Sequence, residues 1–437
     1  MKAWLRKWWV LMLLAAGCAA LLSTWGSKSA RSFQFGPPLP EGRARPQLVS
    51  RDDVVVLLAP DGSLWTWGGM QNRLQGILPS PTRSTVPLRV GAESDWLRVA
   101  ASMTSTLALK TNGTIWGWGY SMEGELLTLG ARTRFPPMQL GTDTDWNDVQ
   151  MGSGHVLALK RDGSLWAWGR NRYGALGDGG ASTNVTVPTR IMKEATWRAV
   201  AAAGFNSYGI QADGSLWGWG FDLTGGKTNL VVPTLLDAGT NWLAMSAGMF
   251  ELLALKADGT LWTCGQNIGV FVSRAASRSA ISMVQIGSDA DWREVFAGRD
   301  YFIARKADGT WWGCGGNEHG QVGLGLASRS PVASPARLPL RFDPWAMTAG
   351  THDITALLGR DGTVWSWGIR AGEPSGRLWS DQVRERWERF LRGGAGGIVT
   401  YTSVYAHDTQ PHFVWELPTS VKSALGTNAP SQPKPAP

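Results

Sequence analysis

Between residues 45 and 370 the chain is a succession of short apolar stretches separated by small polar turns. The stretches return in the same order about every 50 residues. Within each unit the clearest stretch is of the type Leu64-Trp65-Thr66-Trp67, where strict alternation predicts a strand with both indoles on one face and small residues on the other. It follows Asp61-Gly62, and an Asp-Gly step between two apolar runs is the strongest local signal for a β-hairpin, most simply a two-residue type I′ turn with positive φ at both central residues. No stretch of this region carries a helical period. The predicted fold class is all-β.

The repeat is numerically regular. Asp/Asn-Gly turns stand at Asp61, Asn112, Asp162, Asp213, Asp258, Asp308 and Asp361, at spacings of 51, 50, 51, 45, 50 and 53, and open the phrases DGSLWTWG, NGTIWGWG, DGSLWAWG, DGSLWGWG, DGTLWTCG, DGTWWGCG and DGTVWSWG. Sixteen residues before six of these turns stands a tryptophan (Trp96, Trp146, Trp197, Trp242, Trp292, Trp345), replaced by Arg45 in the first unit. A Pro-x-x-apolar step precedes several turns by twenty-five residues: Pro87 to Val90, Pro137 to Leu140, Pro188 to Ile191 and Pro233 to Leu236. Four short strands per unit without helices describe a β-propeller blade, with the tryptophans filling the space between blades. Fixed internal periods of this length mark repeat architectures generally.

The DG-x-x-W-x-W-G phrase resembles the regulator of chromosome condensation repeat family, over about residues 45–370. The family's continuation Asn-x-x-Gly-x-Leu-Gly is similar to Asn171-Arg-Tyr-Gly174-Ala-Leu176-Gly177 and Asn317-Glu-His-Gly320-Gln-Val322-Gly323. Its histidine before Ala-Leu survives only as His155; the other units place Val54, Ser105, Asn206, Glu251, Tyr301 and Ile354 there. The resemblance implies a seven-bladed β-propeller of four-stranded blades. It also offers functional examples: nucleotide exchange on a small GTPase, and secreted inhibition of β-lactamases.

After Gly368 the pattern decays. Residues 398–415 read as strand–turn–strand around His407-Asp408, and Pro418-Thr-Ser-Val421 echoes the Pro-x-x-apolar step. A propeller removes its edge strands by closing, so the expectation is seven blades with residues 371–425 as a degenerate closing segment; eight blades is the alternative. Residues 33–425 then form one propeller domain, and 426–437 a Pro-rich tail.

Charge bears on compartment more than on partners. The chain of 437 residues carries +8, but Lys2, Arg6, Lys7, Lys28 and Arg31 lie in an N-terminal segment free of acids, which leaves the remainder near neutrality. The one dense basic run, Arg370 to Arg392, is interleaved with Glu373, Asp381, Glu385 and Glu388. Nucleic acid is therefore not an expected partner. Residues 1–32 combine a basic start with the uncharged stretch Trp8 to Trp25, a signal peptide or an N-terminal membrane anchor. Leu14-Ala-Ala-Gly-Cys18 also has the form of a lipobox, with Cys18 as the lipidated residue. All three outcomes, anchor, cleavage and lipidation, place the propeller outside the cytoplasm: periplasmic, on the cell surface or secreted.

Sites of chemistry are sparse. Five histidines, no H-E-x-x-H, no paired C-x-x-C, no Walker loop and no G-x-S-x-G leave no expected metal, cofactor or catalytic residue. Gly204-Phe-Asn-Ser207-Tyr-Gly209 approaches a nucleophile motif only in composition. Asp143/Asp145 and Asp289/Asp291 suggest either calcium ligands or repeated solvated turns, and Cys264 and Cys314 are expected to be buried free thiols rather than a disulfide. What varies between units is the loop after Trp-x-Trp-Gly. Its aromatic, Arg and charged members, Tyr120, Arg170, Arg172, Tyr173, Phe221, Glu318 and His319, are the candidate binding residues, because rigid scaffolds bind through variable loops rich in such types. The expected function is a protein-binding scaffold, membrane-tethered or exported. A cell-wall glycan module, a secreted protein inhibitor and, last, a hydrolase are the alternatives.

Overall fold

The computed structural model describes residues 44–369 except 52–53, 69–83, 103, 130–132, 182, 222, 224–227, 250, 266–282, 326, 341–343, 351–353 and 360–362, together with 407–416. The N-terminal segment with Cys18, the Arg370–Arg392 run, Pro418 to Val421 and the C-terminal tail lie outside the described residues. No described helix is long and apolar enough to cross a membrane.

The strands form seven four-stranded antiparallel sheets, each built from consecutive strands. In the first, β1 (Gln47–Arg51), β2 (Val54–Leu58), β3 (Leu64–Gly68) and β4 (Ser84–Arg89) pair in chain order. The counterparts of β1 are Trp96–Ala101, Trp146–Met151, Trp197–Ala203, Trp242–Ala247, Trp292–Ala297 and Pro344–Ala349. Each touches the next, and the last touches β1, so the innermost strands form a closed ring. They enclose a central channel of about 220 Å³.

Seven blades, not eight, complete the ring. His407–Glu416 is the fourth strand of the seventh sheet, paired with Thr363–Ile369. Residues 398–406 lie outside the described residues, and the turn expected at His407-Asp408 is strand instead, within the continuous His407–Glu416. Its register shows why: Trp365 opposes Phe413, two residues after Pro411, just as Trp65 opposes Arg89 after Pro87 and Trp166 opposes Arg190 after Pro188. The outer-strand Pro-x-x-apolar step of this blade is Pro411-His-Phe-Val414. Proline fits there because an outer strand has no further partner for its missing N–H.

The hairpin turns also depart from expectation. Gly62 N donates to Ala59 O at 2.9 Å, and Ala59 N to Ser63 O at 2.9 Å. Positive φ falls on the glycines (Gly62 +80°, Gly113 +81°, Gly163 +78°) and not on the residues before them. This is the three-residue loop, a turn followed by a left-handed bulge glycine, rather than the two-residue type I′ loop. The side chains explain the choice. Asp61 Oδ1 accepts from both the N–H (3.0 Å) and the hydroxyl (2.6 Å) of Ser63, whose Oγ accepts from Trp65 Nε1 at 2.8 Å. The same relay recurs through Asn112–Thr114–Trp116 and Asp213–Ser215–Trp217. Glycine is also required by space, since a Cβ at Gly62 would lie 2.3 Å from Ser94 O.

The tryptophans pack between blades as expected. Trp96 and Trp118 of the second blade share a buried cluster with Val54, Val56 and Leu58 of the first, and the same arrangement continues around the ring. Cys264 and Cys314 are free and buried in separate clusters, and burial pushes both thiols up to about 12.

Candidate functional site on the variable-loop rim

The two ends of the ring differ chemically. At the Asp-Gly end, a lysine that closes the second strand of a blade lies between two indoles. Lys160 Nζ is 4.9 Å from the Trp146 ring and 4.8 Å from Trp166, and bonds Asp143 at 2.8 Å and Asp145 at 3.1 Å. Lys306 does the same with Trp292, Trp312, Asp289 and Asp291. The paired aspartates weighed above as calcium ligands or solvated turns thus hold an ammonium. Among the described residues no group of acids, histidines and cysteines is arranged for a metal.

The opposite rim carries the variable loops. In four blades the residue opening the loop donates its N–H to the turn between the blade's first two strands: Tyr120 to Thr104 O, Arg170 to Gly154 O, Phe221 to Phe205 O and Gly316 to Asp300 O, at 2.7, 2.8, 3.3 and 2.9 Å. The Asn-x-x-Gly-x-Leu-Gly stretch is a clasp between blades. Asn171 Oδ1 accepts from Leu176 N at 3.2 Å, and Ala175 O accepts from Trp219 Nε1 of the next blade at 2.9 Å. Gln321 O holds Trp367 in the same way. The loops of the second, third, fourth and sixth blades are therefore tied to the frame of strands.

Four of the seven candidate residues are brought together between the third and fourth blades. The Tyr173 ring packs on Phe205 at 5.0 Å and on Phe221 at 4.7 Å, with Phe205 and Phe221 6.3 Å apart. The Arg170 guanidinium lies 4.9 Å from the Phe205 ring and that of Arg172 5.4 Å from Tyr173. Glu123, from the second blade's loop, pairs with Arg170 at 3.6 Å and accepts from Asn184 Nδ2 at 2.7 Å. The same loop presents Met122 and Leu129, 58% and 59% exposed. Tyr120 opens that loop. Glu318 and His319 sit elsewhere on the rim, in the sixth blade, beside Asp300 and Arg299. There burial raises the Asp300 carboxyl and lowers the His319 imidazole from their ordinary values.

Sequence reasoning missed Phe205, Glu123 and Asn184. Phe205 stands one residue before the Asn206 slot, where other units place Thr104, Gly154 or Asp300. The fifth unit also has Phe there, Phe250, so comparison of the repeats marks two units and does not by itself separate Phe205. Glu123 and Asn184 meet only because two blades do.

The serine of Gly204–Gly209 is a packing residue. Ser207 is fully buried, its Oγ is 3.0 Å from His155 Nε2, and it donates its proton to Ala175 O at 2.7 Å. His155 is buried and held uncharged, lowered to about 3 by burial first and then by the charge of Arg51.

The repeat that builds this rim is recognisable by sequence. The regulator of chromosome condensation (RCC1) repeat matches residues 162–209 in one family model and 146–175 in another, the stretch that contains Arg170, Arg172, Tyr173 and Phe205. Residues 146–209 carry the RCC1 repeat. The fold of the chain is similar to that of human WBSCR16 (17% identity, TM-score 0.62, covering 73% of this chain and 86% of that one). It is likewise similar to Prp20p from Saccharomyces cerevisiae (17%, 0.61, 74% and 83%) and to yeast RCC1 (Prp20) in its complex with Kap60 (16%, 0.62, 78% and 85%). No curated protein sequence matches the chain. In this ring the repeated phrase accounts for the frame, and the aromatic–arginine patch sits in the loops that vary between repeats.

Proposed function

We propose that this RCC1-like propeller is a protein-binding scaffold, exported or tethered by residues 1–32, whose partner docks on the variable-loop rim between the second and fourth blades. The observation that carries the reading is the Tyr173–Phe205–Phe221 cluster flanked by Arg170 and Arg172, a surface of the residue types that dominate binding energy at protein interfaces. The structural relatives give the reading precedent: Prp20p has been characterised for binding to Gsp1p and histones, and yeast RCC1 in complex with Kap60. The glycan alternative rests on exposed tryptophans and tyrosines, which stack on sugars. The tryptophans of blades one to six are buried or half-buried, which leaves less tryptophan surface for stacking on sugars.

The test is retention by the immobilised full chain from an extracytoplasmic extract, read by mass spectrometry and glycan analysis. One protein held by the wild type and by Lys193→Ala on the opposite rim, but not by Arg172→Ala/Tyr173→Ala, is the expected result. Retention of wall glycan without protein transfers the function to sugar binding. In parallel, fractionation of cells expressing the full chain checks export: recovery in the cytosol overturns that part of the reading.

A further inference from the structure

The central channel has one asymmetric feature. The residue that pairs with the slot position before Ala-Leu is Ser102, Gly152, Ala203, Gly248, Gly298 or Gly350 in six blades, and Arg51 in the first. Small residues are demanded there because the slot side chain folds back over them: a Cβ at Gly152 would lie 2.1 Å from the His155 ring, and one at Gly298 would lie 2.2 Å from Tyr301. Val54, in the first blade's slot, is short enough to leave room for a long side chain. Arg51 lines the channel, and its Nε donates to Ala101 O at 3.2 Å while Nη2 donates to Met151 O at 3.0 Å. Those carbonyls end the innermost strands of the second and third blades. The side chain therefore runs as a chord from the first blade to the third, across the channel mouth on the variable-loop rim.

We propose that Arg51 is a plug that closes the rim-side mouth of the channel, so that the channel interior is shut to solutes arriving at the rim. Two donors of one planar group on two carbonyls fix the guanidinium in the mouth, which a single-point ammonium cannot do. The inference stands apart from the identity of any partner.

Ala201 lines the channel near that mouth, and Ala201→Cys supplies a probe. The full chain is treated with a charged methanethiosulfonate reagent, and labelling is read at each cysteine by peptide mass spectrometry. Labelling at position 201 is expected to rise about tenfold when Arg51→Ala is added, and by less with Arg51→Lys, while Cys264 and Cys314 stay unlabelled. Equal rates at position 201 with and without Arg51 overturn the plug. A parallel rise at Cys264 and Cys314 overturns it too, because the arginine would then be holding the ring together rather than closing its mouth.

Discussion

At the residue scale, the rim patch separates stability from recognition. Arg172 is exposed and stacks on Tyr173 from outside. Arg172→Ala is expected to change stability by no more than about 0.5 kcal/mol while weakening retention of the partner. Tyr173→Ala removes two ring contacts, and chemical denaturation should show a loss of about 1–3 kcal/mol. His155 makes a pH-dependent contribution of its own. Its folded-state value, about 3, lies below the ordinary value of 6.5, so the unfolded chain binds a proton that the folded chain refuses. Stability from this group is full above pH 6.5 and falls as pH drops toward 3, by about 1.4 kcal/mol per unit within the window. Denaturant midpoints of the wild type at pH 7.5 and 5.5 should differ more than those of His155→Gln; equal differences would remove His155 from the account. The rim residues were legible in the sequence one by one, as departures from a repeat. Their grouping was not, because Phe205 and Glu123 reach Tyr173 and Arg170 from neighbouring blades.

At the element scale, the hairpins were readable because Asp-Gly and a period of two act within a few residues. The turn type was not. It is decided by whether the Asp carboxylate accepts from its own chain two residues on, and Ser63 or Thr114 after the glycine rewards the longer loop. The lysine box was likewise invisible, since the aspartates precede the strand that carries the lysine. Burial works to lower the Lys160 ammonium, but the bonds to Asp143 and Asp145 outweigh it and raise the group overall. Its contribution is therefore complete below its ordinary value of 10.5 and is lost as pH rises through the higher folded-state value. Lys160→Met should cost about 1–2 kcal/mol at neutral pH, measured by thermal unfolding. The fourth blade has the same indole pair, Trp197 and Trp217 at 6.3 Å, with Gln211 in the lysine's place. Gln211→Lys should raise stability by about 0.5–1 kcal/mol, and a fall instead would show that the box needs its paired aspartates.

At the scale of the whole molecule, the ring closes in a way that sequence could indicate but not resolve. Every sheet is complete within one continuous stretch, so closure rests on packing of β1 against Pro344–Ala349 and on the cluster that joins Leu48, Val55 and Leu57 to Ile354, Ala356 and Leu358. The Pro-x-x-apolar step was sought at Pro418, although the register puts it at Pro411; the phase is lost because the segment preceding the last strand has a length that no other blade shares. The C-terminal strand thus shields a blade rather than locking the ring. Ending the chain after residue 406 removes His407–Glu416 and leaves Thr363–Ile369 as a bare edge, with the partner of Trp365 gone. Unpaired edges of this kind recruit other chains. The truncated protein is expected to keep a closed ring with an unchanged first-blade contact, unfold at a lower temperature and associate on size-exclusion chromatography. Ending it after residue 416 preserves every described strand and should leave both measurements at their wild-type values. If the shorter chain instead unfolds outright at room temperature, the outer strand is required for closure itself, and packing between β1 and the seventh blade is too weak to hold the circle alone.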